Sequence, residues 1–254
     1  MHSTHLRRWL KRFYYFSVDA EADTLETVLM SRILLLVAGT NEPSNSNVLA
    51  DSLASGMRTV LGVSLAKIRL KDLQMAHFGL ECYGPHCPVD DLERIKREMM
   101  QADGVVIASP IWNFSVPAHL KNLIDRMGAF GLDSDSHSLG TFQGKPFFLL
   151  FTGGTPSAAW PLMKRTTSHI PVSLQYFGAS ILGVHFEPRC TLGRGVFGLV
   201  VDKRPESLEA VRLKGVKFAK VVQEFQQTGK LPLKHRLIRK FVSIAQRVKK
   251  GTGI

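Results

Sequence analysis

The sequence is poor in cysteine and has no long apolar run. Its 254 residues include three cysteines, Cys82, Cys87 and Cys190, which are too few for a disulfide framework and favour a reducing compartment. No apolar stretch approaches the roughly 18 residues of a membrane-spanning helix. Residues 13–18 are too short and too amphipathic for the core of a signal peptide. We therefore expect a cytoplasmic protein.

Acidic residues are absent from the C-terminal end of the chain. Residues 230–254 contain eight Lys and Arg and no Asp or Glu, whereas residues 1–31 contain four residues of each sign. The formal net charge of +12 thus leaves residues 32–229 near neutral, at +4. A basic tail on a near-neutral domain indicates an anionic surface near the tail and says little about the ligand of the domain. No nucleic-acid-binding module is evident, so we expect no nucleic-acid partner.

The basic tail has the pattern of an amphipathic helix. Leu237, Phe241, Ile244 and Val248 fall at i, i+4, i+7 and i+11, which places them on one stripe. The basic residues that lie largely off this stripe are Arg236, Arg239, Lys240, Arg247 and Lys250. Two interpretations stay open. The helix lies in an anionic membrane interface, or it packs on the domain or on a dimer partner and leaves its basic face in water.

The chain length predicts one globular domain with terminal extensions. With 254 residues of which 44% are hydrophobic, the chain can bury one substantial core but hardly two. Residues 1–30 carry no clear period and are interpreted as an N-terminal extension that is a candidate for disorder, with Met30 as an alternative start. Residues 31–229 form the predicted domain, and residues 230–254 form the basic amphipathic tail.

Within the domain, short β-rich apolar runs alternate with helical patterns. The predicted strands are 33–38, 64–70, 105–109, 147–151 and 181–186, and the predicted helices are 46–60, 90–102, 116–128, 158–177 and 206–227. This alternation predicts a parallel sheet covered by helices on both faces. Five strands suit a flavodoxin-like, doubly wound α/β fold with strand order 2-1-3-4-5. Ligands of such sheets bind at the carboxyl ends of the strands, where the winding direction reverses.

The loop after the first strand has the composition of a phosphate site. Residues 39–47 read GTNEPSNSN and contain hydroxyls and amides but no Lys or Arg. Such a loop can hold a phosphate through hydroxyls, backbone N–H groups and the N-terminus of the following helix. An ordinary cluster of helix-capping residues is the alternative interpretation.

The loops after the third and fourth strands complete the predicted site. In the segment 109–127, SPIWNFSVPAHLKNLIDRM, Trp112 and Phe114 bracket Asn113. Aromatic residues in such a loop often plug the core, but this loop falls where the winding reverses, which favours contact with a ligand. Residues 152–154, Thr-Gly-Gly, let backbone N–H groups approach a flat ligand, although a simple turn has the same pattern. A phosphate cradle, an aromatic wall and an amide floor are what flavin mononucleotide (FMN) requires.

The segment 109–127 strongly resembles the characteristic loop and helix of the NADPH-dependent FMN reductases and FMN-dependent azoreductases of the flavodoxin-like superfamily. The resemblance spans about residues 32–187. It implies an oxidoreductase that uses FMN, takes NADPH or NADH as co-substrate, reduces a quinone, an azo or nitro compound or a flavin, and forms a homodimer. Because the flavin itself carries the hydride, we predict no catalytic side chain. Amides of residues 152–154 are the candidates to stabilise the reduced ring.

The same resemblance assigns the cofactor contacts. It implicates in phosphate binding Thr40, Ser44, Ser46 and Asn47. It implicates along the ribityl chain and the ring Pro110, Ile111, Trp112, Asn113 and Phe114, and at the pyrimidine end Thr152, Gly153 and Gly154. The family often has Arg in the first loop, where this chain has Glu42 or Pro43, and Trp112 replaces a commoner Tyr. We interpret Lys121, Asn122 and Asp125 as structural.

Three further features leave alternatives to be tested. Gly193, Gly195 and Gly198 spell GxGxxG, but a strand-like run follows them instead of a helix, so we interpret a flexible loop over the site. The stretch from Cys82 to Cys87 resembles that of iron-sulphur flavoproteins, yet two local cysteines cannot bind a four-iron cluster, and we predict no metal. The alternative functions are a flavodoxin-type electron carrier, usually acidic where this chain is not, and a non-catalytic regulatory flavoprotein.

Overall fold

The computed structural model describes residues 30–84, 86–193 and 196–252. Its centre is a five-stranded sheet in which every neighbouring pair is parallel, with the order β2-β1-β3-β4-β5. The strands are β1 (Ser31–Val37), β2 (Val63–Arg69), β3 (Gly104–Pro110), β4 (Pro146–Thr152) and β5 (Ser180–Glu187). The predicted fold class and strand order are confirmed, and each strand lies within two residues of its predicted bounds. Of the predicted N-terminal extension, all but Met30 lies outside the described residues.

Helices cover both faces of this sheet. They are α1 (Asn45–Arg58), α2 (Leu92–Gln101), α3 (Ala118–Arg126), α4 (Gly128–Gly131), α5 (Trp160–Thr166), α6 (His169–Tyr176), α7 (Pro205–Thr228) and α8 (Leu233–Thr252). The prediction of a single helix over 158–177 is wrong, because the helix is interrupted between α5 and α6. The hydroxyl of Thr167 donates to the carbonyl of Met163 at 2.7 Å, and Pro171 has no N–H with which to continue the helix through this point.

The hydrophobic core lies in two layers, one on each side of the sheet. Successive residues of β1 alternate between them: Leu34 packs with α2, α3 and α6, and Leu35 packs with α1 and α7. Burial on both faces explains the uninterrupted apolar strands. Glycines bring α1 and α7 into backbone contact, since a Cβ at Gly56 would lie 1.9 Å from the carbonyl oxygen of Arg212.

The C-terminal helix α8 packs across the amino ends of β4 and β5. The side-chain amide of Gln246 donates to the carbonyl of Tyr176 at 2.6 Å, and the guanidinium of Arg239 lies beside Gly144, just before β4. The helix predicted for the basic tail is thus present and rests on the domain. Within the described ranges, no helix is both long enough and apolar enough to cross a bilayer.

Candidate functional site

A cleft lies at the carboxyl ends of β1, β3 and β4. In this strand order the chain leaves β1 toward β2 on one side and later returns to β3 on the other, so the two loops diverge and leave a crevice between them. The cleft has an empty volume of about 650 Å³. Nine of the twelve predicted binding residues line it: Thr40, Ser44, Ser46, Pro110, Ile111, Trp112, Thr152, Gly153 and Gly154. The other described lining residues are Gly39, Asn41, Pro43, Asn45, Cys190, Thr191, Phe197 and Gly198.

Two buried hydroxyls form the end of the cleft next to α1. Ser44 is the N-cap of α1 and accepts a hydrogen bond from the backbone N–H of Asn47 at 3.3 Å. The Oγ atoms of Ser44 and Ser46 lie 3.1 Å apart. Gly39 leaves the space that they face, since a Cβ there would lie 2.4 Å from each oxygen. Hydroxyls beside the positive end of a 14-residue helix make an anion-binding cradle.

Asn47 lies outside this cradle, although the sequence resemblance implicates it in phosphate binding. Its side-chain amide donates to Asp51 at 3.2 Å. Position 47 is one turn before Asp51 on the same face of α1, so the carboxylate draws the amide along the helix. The Oδ1 atom of Asn47 is buried and contacts no donor in the described part of the chain.

Asn45 joins the first loop to a segment more than 150 residues away. Its Oδ1 atom accepts from the backbone N–H of Val200 at 2.9 Å and of Val201 at 3.2 Å. Its Nδ2 atom donates to the carbonyl of Gly198 at 2.8 Å. The side chain therefore holds the late glycine-containing loop against the cradle, in agreement with the interpretation of that loop as part of the site.

Two cations near the first loop form ion pairs with Glu42, the acidic residue of that loop. Glu42 pairs with Lys71 at 3.1 Å and with Arg69, both at the carboxyl end of β2. Hydrogen bonds from Lys71 and then Arg69 lower the pKa of Glu42, so the carboxylate stays ionised. The cradle itself contains no cation among its described lining residues.

A tight turn after β3 forms the aromatic wall. The backbone groups of Trp112 and Ser115 bond to each other at 2.7 and 2.8 Å, and between them Asn113 and Phe114 have positive φ values of 47° and 66°. The turn carries both residues to its exposed tip, so neither lines the cleft, although the resemblance implicates both. Trp112 instead faces inward and contacts Phe197, with ring centroids 4.9 Å apart.

The loop after β4 forms the floor of the cleft, and part of its backbone is already hydrogen-bonded to other residues of the protein. The N–H of Gly153 donates to the carbonyl of Glu187 at 3.0 Å, and its carbonyl accepts from the N–H of Cys190 at 2.9 Å. The predicted role of the 152–154 amides in stabilising a reduced ring is therefore wrong for Gly153. Among the described residues no acceptor contacts the N–H of Gly154, which leaves that group free to bond a ligand.

Comparison with known proteins identifies the family that this arrangement represents. The family model for NADPH-dependent FMN reductases matches residues 31–175, more than half of the chain. The chain belongs to the NADPH-dependent FMN reductase family. The match includes the loops after β1, β3 and β4, whereas Glu187 and the 190–198 segment lie beyond it.

Several oxidoreductases resemble this family member in sequence or in fold. An FMN-dependent NADH:quinone oxidoreductase of Nitratidesulfovibrio vulgaris strain DP4 is 32% identical over 139 residues, covering 50% of this chain and 63% of the relative. An NADPH:quinone oxidoreductase of Arabidopsis thaliana is 32% identical over 96 residues, covering 38% and 44%. The chain thus spans less than two thirds of the length of these relatives. An NAD(P)H:quinone oxidoreductase from Methanothermobacter marburgensis shares the fold, with a TM-score of 0.56, 16% identity and coverage of 74% of this chain and 96% of that one.

Behind the floor, this member of the FMN reductase family has a buried ionic network around Glu187. The carboxylate accepts from Ser207 Oγ at 2.9 Å and pairs with Arg204 at 3.1 Å and with His185 at 3.3 Å. Burial acts to raise the pKa of Glu187, but the hydrogen bonds from His185, Ser207 and Arg204 outweigh it and lower the pKa. Because its carbonyl accepts from Gly153, the ionised residue fixes the backbone beneath the cleft.

Cys190 is the cysteine among the described residues that line the cleft. Burial, followed by the charge of Glu187, raises its pKa to about 12. A neutral thiol reacts poorly. His119 lies nearby, with its Nε2 atom 2.8 Å from the carbonyl of Ala38, and burial lowers its pKa. Both groups stay uncharged at neutral pH and serve as packing and anchoring contacts.

Cys82 and Cys87 lie beside a buried arginine. Arg126 is fully buried, pairs with Asp90 and donates to the sulphur of Cys87 at 3.7 Å. In the described part of the chain no three His, Cys, Asp or Glu side chains are grouped as metal ligands. Asn122, interpreted as structural, bonds the backbone of Ala76 and Phe78.

Sequence reasoning missed the lining residues that come from the distant 190–198 segment. Cys190, Thr191 and Phe197 follow no local pattern of a binding loop, because their place in the cleft depends on β5 and on Asn45. The one available signal was the glycine-rich spacing after position 192. Asn45 could have been suspected from its place in the first turn of α1, but its four distant partners could not.

Proposed function

We propose that this protein binds FMN non-covalently in the cleft and passes reducing equivalents from NADH or NADPH to a small acceptor. A quinone is the first candidate acceptor, because the relatives in sequence are quinone oxidoreductases. An azo or nitro compound or a free flavin would suit the same chemistry. The observation that carries the proposal is the pair of buried hydroxyls at the positive end of α1, in a cleft completed by an aromatic wall and a glycine floor.

The residues present fit the phosphate end of FMN. The hydroxyls of Ser44 and Ser46 share one hydrogen bond, which leaves one hydroxyl hydrogen to donate to a phosphate, and α1 directs its unpaired N–H groups toward the same space. Thr40 lies at the rim of the cradle. No formal charge occurs among the described lining residues, so the described groups that would stabilise the dianion are oriented dipoles.

The opposite end of the cleft fits a flat aromatic ring. Trp112 and Phe197 form an aromatic wall on one side, and the floor at Gly153 lacks a side chain, since a Cβ there would lie 2.9 Å from the ring of Phe186. The free N–H of Gly154 can donate to a ring oxygen. Bound FMN would supply the hydride-carrying chemistry that no side chain in the cleft provides.

Purification followed by cofactor and turnover measurements tests the proposal. We expect a yellow protein that releases FMN on denaturation, binds FMN more tightly than riboflavin, and oxidises NADH or NADPH when a quinone is added. Comparison of the two nicotinamides then gives the preferred co-substrate. Protein that holds FMN but oxidises neither nicotinamide would support an electron carrier or a regulatory flavoprotein instead. Protein that binds no FMN would contradict the assignment of the cleft.

We further propose a homodimer with the cleft near its interface. The two loops that meet at Trp112 carry apolar side chains that are more than half exposed: Phe114, Leu192, Val196 and Phe197. Several large apolar side chains exposed on two adjoining loops are typical of an interaction site. Analytical ultracentrifugation at micromolar concentration should show a dimer, and replacing Phe197 by Ser should weaken it. A monomer that holds FMN and is fully active would contradict this proposal.

A cytoplasmic location completes the proposal. Cys82, Cys87 and Cys190 are all free thiols in the structure, as expected in a reducing compartment. Fractionation of the native host followed by immunodetection tests it, and recovery of the protein from an oxidising compartment would contradict it.

A further inference from the structure

The helix α8 turns an apolar stripe toward solvent. Leu237, Phe241, Ile244 and Val248 are 60%, 75%, 53% and 60% exposed, and Leu233 continues the stripe toward the start of the helix at 64%. Side chains at these spacings lie above one another on one face of a helix. Scattered exposed leucines are ordinary, but five large apolar residues in one row on a helix indicate a surface that has a partner.

The stripe is not the face by which α8 packs on its own domain. The domain-facing side carries Gln246, which is buried and bonds to the carbonyl of Tyr176. His235, Ile238 and Val242 line the cavity between α8 and the domain. Position 246 lies about half a turn away from positions 244 and 248. The helix is therefore apolar on two opposite sides, and the domain covers only one of them.

Basic side chains flank the exposed stripe. Lys234 lies on one side of it, and Arg236, Lys240 and Arg247 lie on the other, all of them exposed. In the described part of the chain none of these four cations pairs with an acidic side chain. An apolar row flanked by one cation on one side and by three on the other matches a lipid surface in which acyl chains lie beneath anionic headgroups.

The charge pattern argues against a second copy of this chain as the partner. A symmetric dimer through α8 would place the same patch against itself. Its flanking cations would then face one another, and residues 230–254 contain no acid to separate them. Like charges brought together in this way oppose association.

We propose that α8 is a peripheral membrane anchor that lies in the interface of an anionic bilayer, with the Leu233–Val248 stripe in the acyl region. The helix packs at the amino ends of β4 and β5, whereas the cleft lies at the carboxyl ends of the strands. An anchored molecule therefore keeps its cleft turned away from the lipid surface. Membrane binding leaves the cleft open to soluble nicotinamide and acceptor.

Co-sedimentation of the full chain with vesicles tests the anchor. The probes are vesicles of phosphatidylcholine alone and of phosphatidylcholine mixed with phosphatidylglycerol, at low and at high salt. We expect binding to the anionic vesicles that high salt weakens. The double variant Lys234→Gln/Lys240→Gln should bind about 25-fold more weakly, about fivefold for each cation. The double variant Leu237→Ser/Phe241→Ser should lose at least tenfold on the same vesicles.

A matched control separates the stripe from general surface hydrophobicity. Leu80→Ser/Val89→Ser removes two apolar side chains that are 84% and 96% exposed, more than Leu237 and Phe241, and that are not part of α8, so it should bind like the wild type. Vesicle binding is measured without nicotinamide or acceptor, so its result is independent of the proposed activity. The anchor is refuted if the wild type does not bind anionic vesicles at low salt, or if the stripe variant binds as well as the wild type. The anchor is likewise refuted if the wild type is a dimer that binds no vesicles and the Leu237→Ser/Phe241→Ser variant is a monomer, because the stripe would then be a dimer interface.

Discussion

Replacing Ser46 by Ala isolates the phosphate contact of the proposed FMN site. The Ser46 hydroxyl is buried, and its one hydrogen-bond partner among the described residues is Ser44 Oγ at 3.1 Å, so its loss costs the fold little. Ser44 is a poorer choice, since removing an N-cap destabilises the helix by about 1 kcal/mol. A hydrogen bond to a charged group contributes about 1.5–3 kcal/mol. The FMN dissociation constant should therefore rise roughly 10- to 150-fold, at about 1.4 kcal/mol for each factor of ten.

The assay is titration of the apo-protein with flavin, followed by quenching of flavin fluorescence. Riboflavin has the same ring and no phosphate, so Ser46→Ala should leave riboflavin binding unchanged. Asn47→Ala is the matched control, because that side chain bonds to Asp51 and lies outside the cleft lining. An equal loss for FMN and riboflavin would mean that the variant distorts the cleft. Unchanged FMN binding, or a loss in Asn47→Ala as large as in Ser46→Ala, would refute the placement of the phosphate at the two serines.

Three further predictions concern the framework of the cleft. Asn45→Ala removes the side chain that bonds Gly198, Val200 and Val201; limited proteolysis and hydrogen exchange should show the 190–201 segment opening while the sheet stays protected, and unchanged protection would contradict it. Phe114→Gly should raise the free energy of unfolding of the monomer, measured at concentrations at which the proposed dimer dissociates, by roughly 1 kcal/mol, because Phe114 has a φ of 66° that costs an L-residue about that much, and a lower urea midpoint would contradict it. Glu187→Gln should lower the free energy of unfolding at pH 7 by about 1–3 kcal/mol. The lowered pKa of Glu187 means that its contribution is present above the ordinary carboxyl pKa and is lost as pH falls through the lowered value. The difference between wild type and variant should therefore shrink on acidification, and a difference that grows would contradict the network.

Much of the fold could be predicted because parallel strands are buried on both faces. The uninterrupted apolar runs that include Ile33, Val105 and Phe147 are most simply interpreted as strands of a parallel sheet, because helical patterns separate them. The break between α5 and α6 could not be predicted from periodicity, since both halves keep their apolar residues in phase. It depends on the hydroxyl bond of Thr167, a local competitor of the helix that hydropathy does not reveal.

The site was predictable where it is made by one loop and less so where it is made by several. Ser44 and Ser46 are positioned by the capping of α1, which a local pattern indicates. Trp112 turns inward and Phe114 turns outward because Asn113 and Phe114 both have positive φ values. Asn adopts this conformation readily, but Phe does not, so the residue types do not predict two such values in a row. The commitment of the Gly153 N–H to Glu187 depends on β5, 34 positions later.

The hydrogen bonds from Asn45 to Gly198 and Val201 have a consequence for how the cleft forms while the chain is being synthesised. The cleft is closed by residues that are synthesised more than 150 positions after the loop to which they bond. A nascent chain that has made every strand up to β4 already holds the cradle, the aromatic turn and the glycine floor, but it lacks Phe197 and the segment that Asn45 fastens. Tight flavin retention would then arise only after residues 198–201 have been synthesised, and the yellow colour of a preparation would report that this segment has joined the first loop.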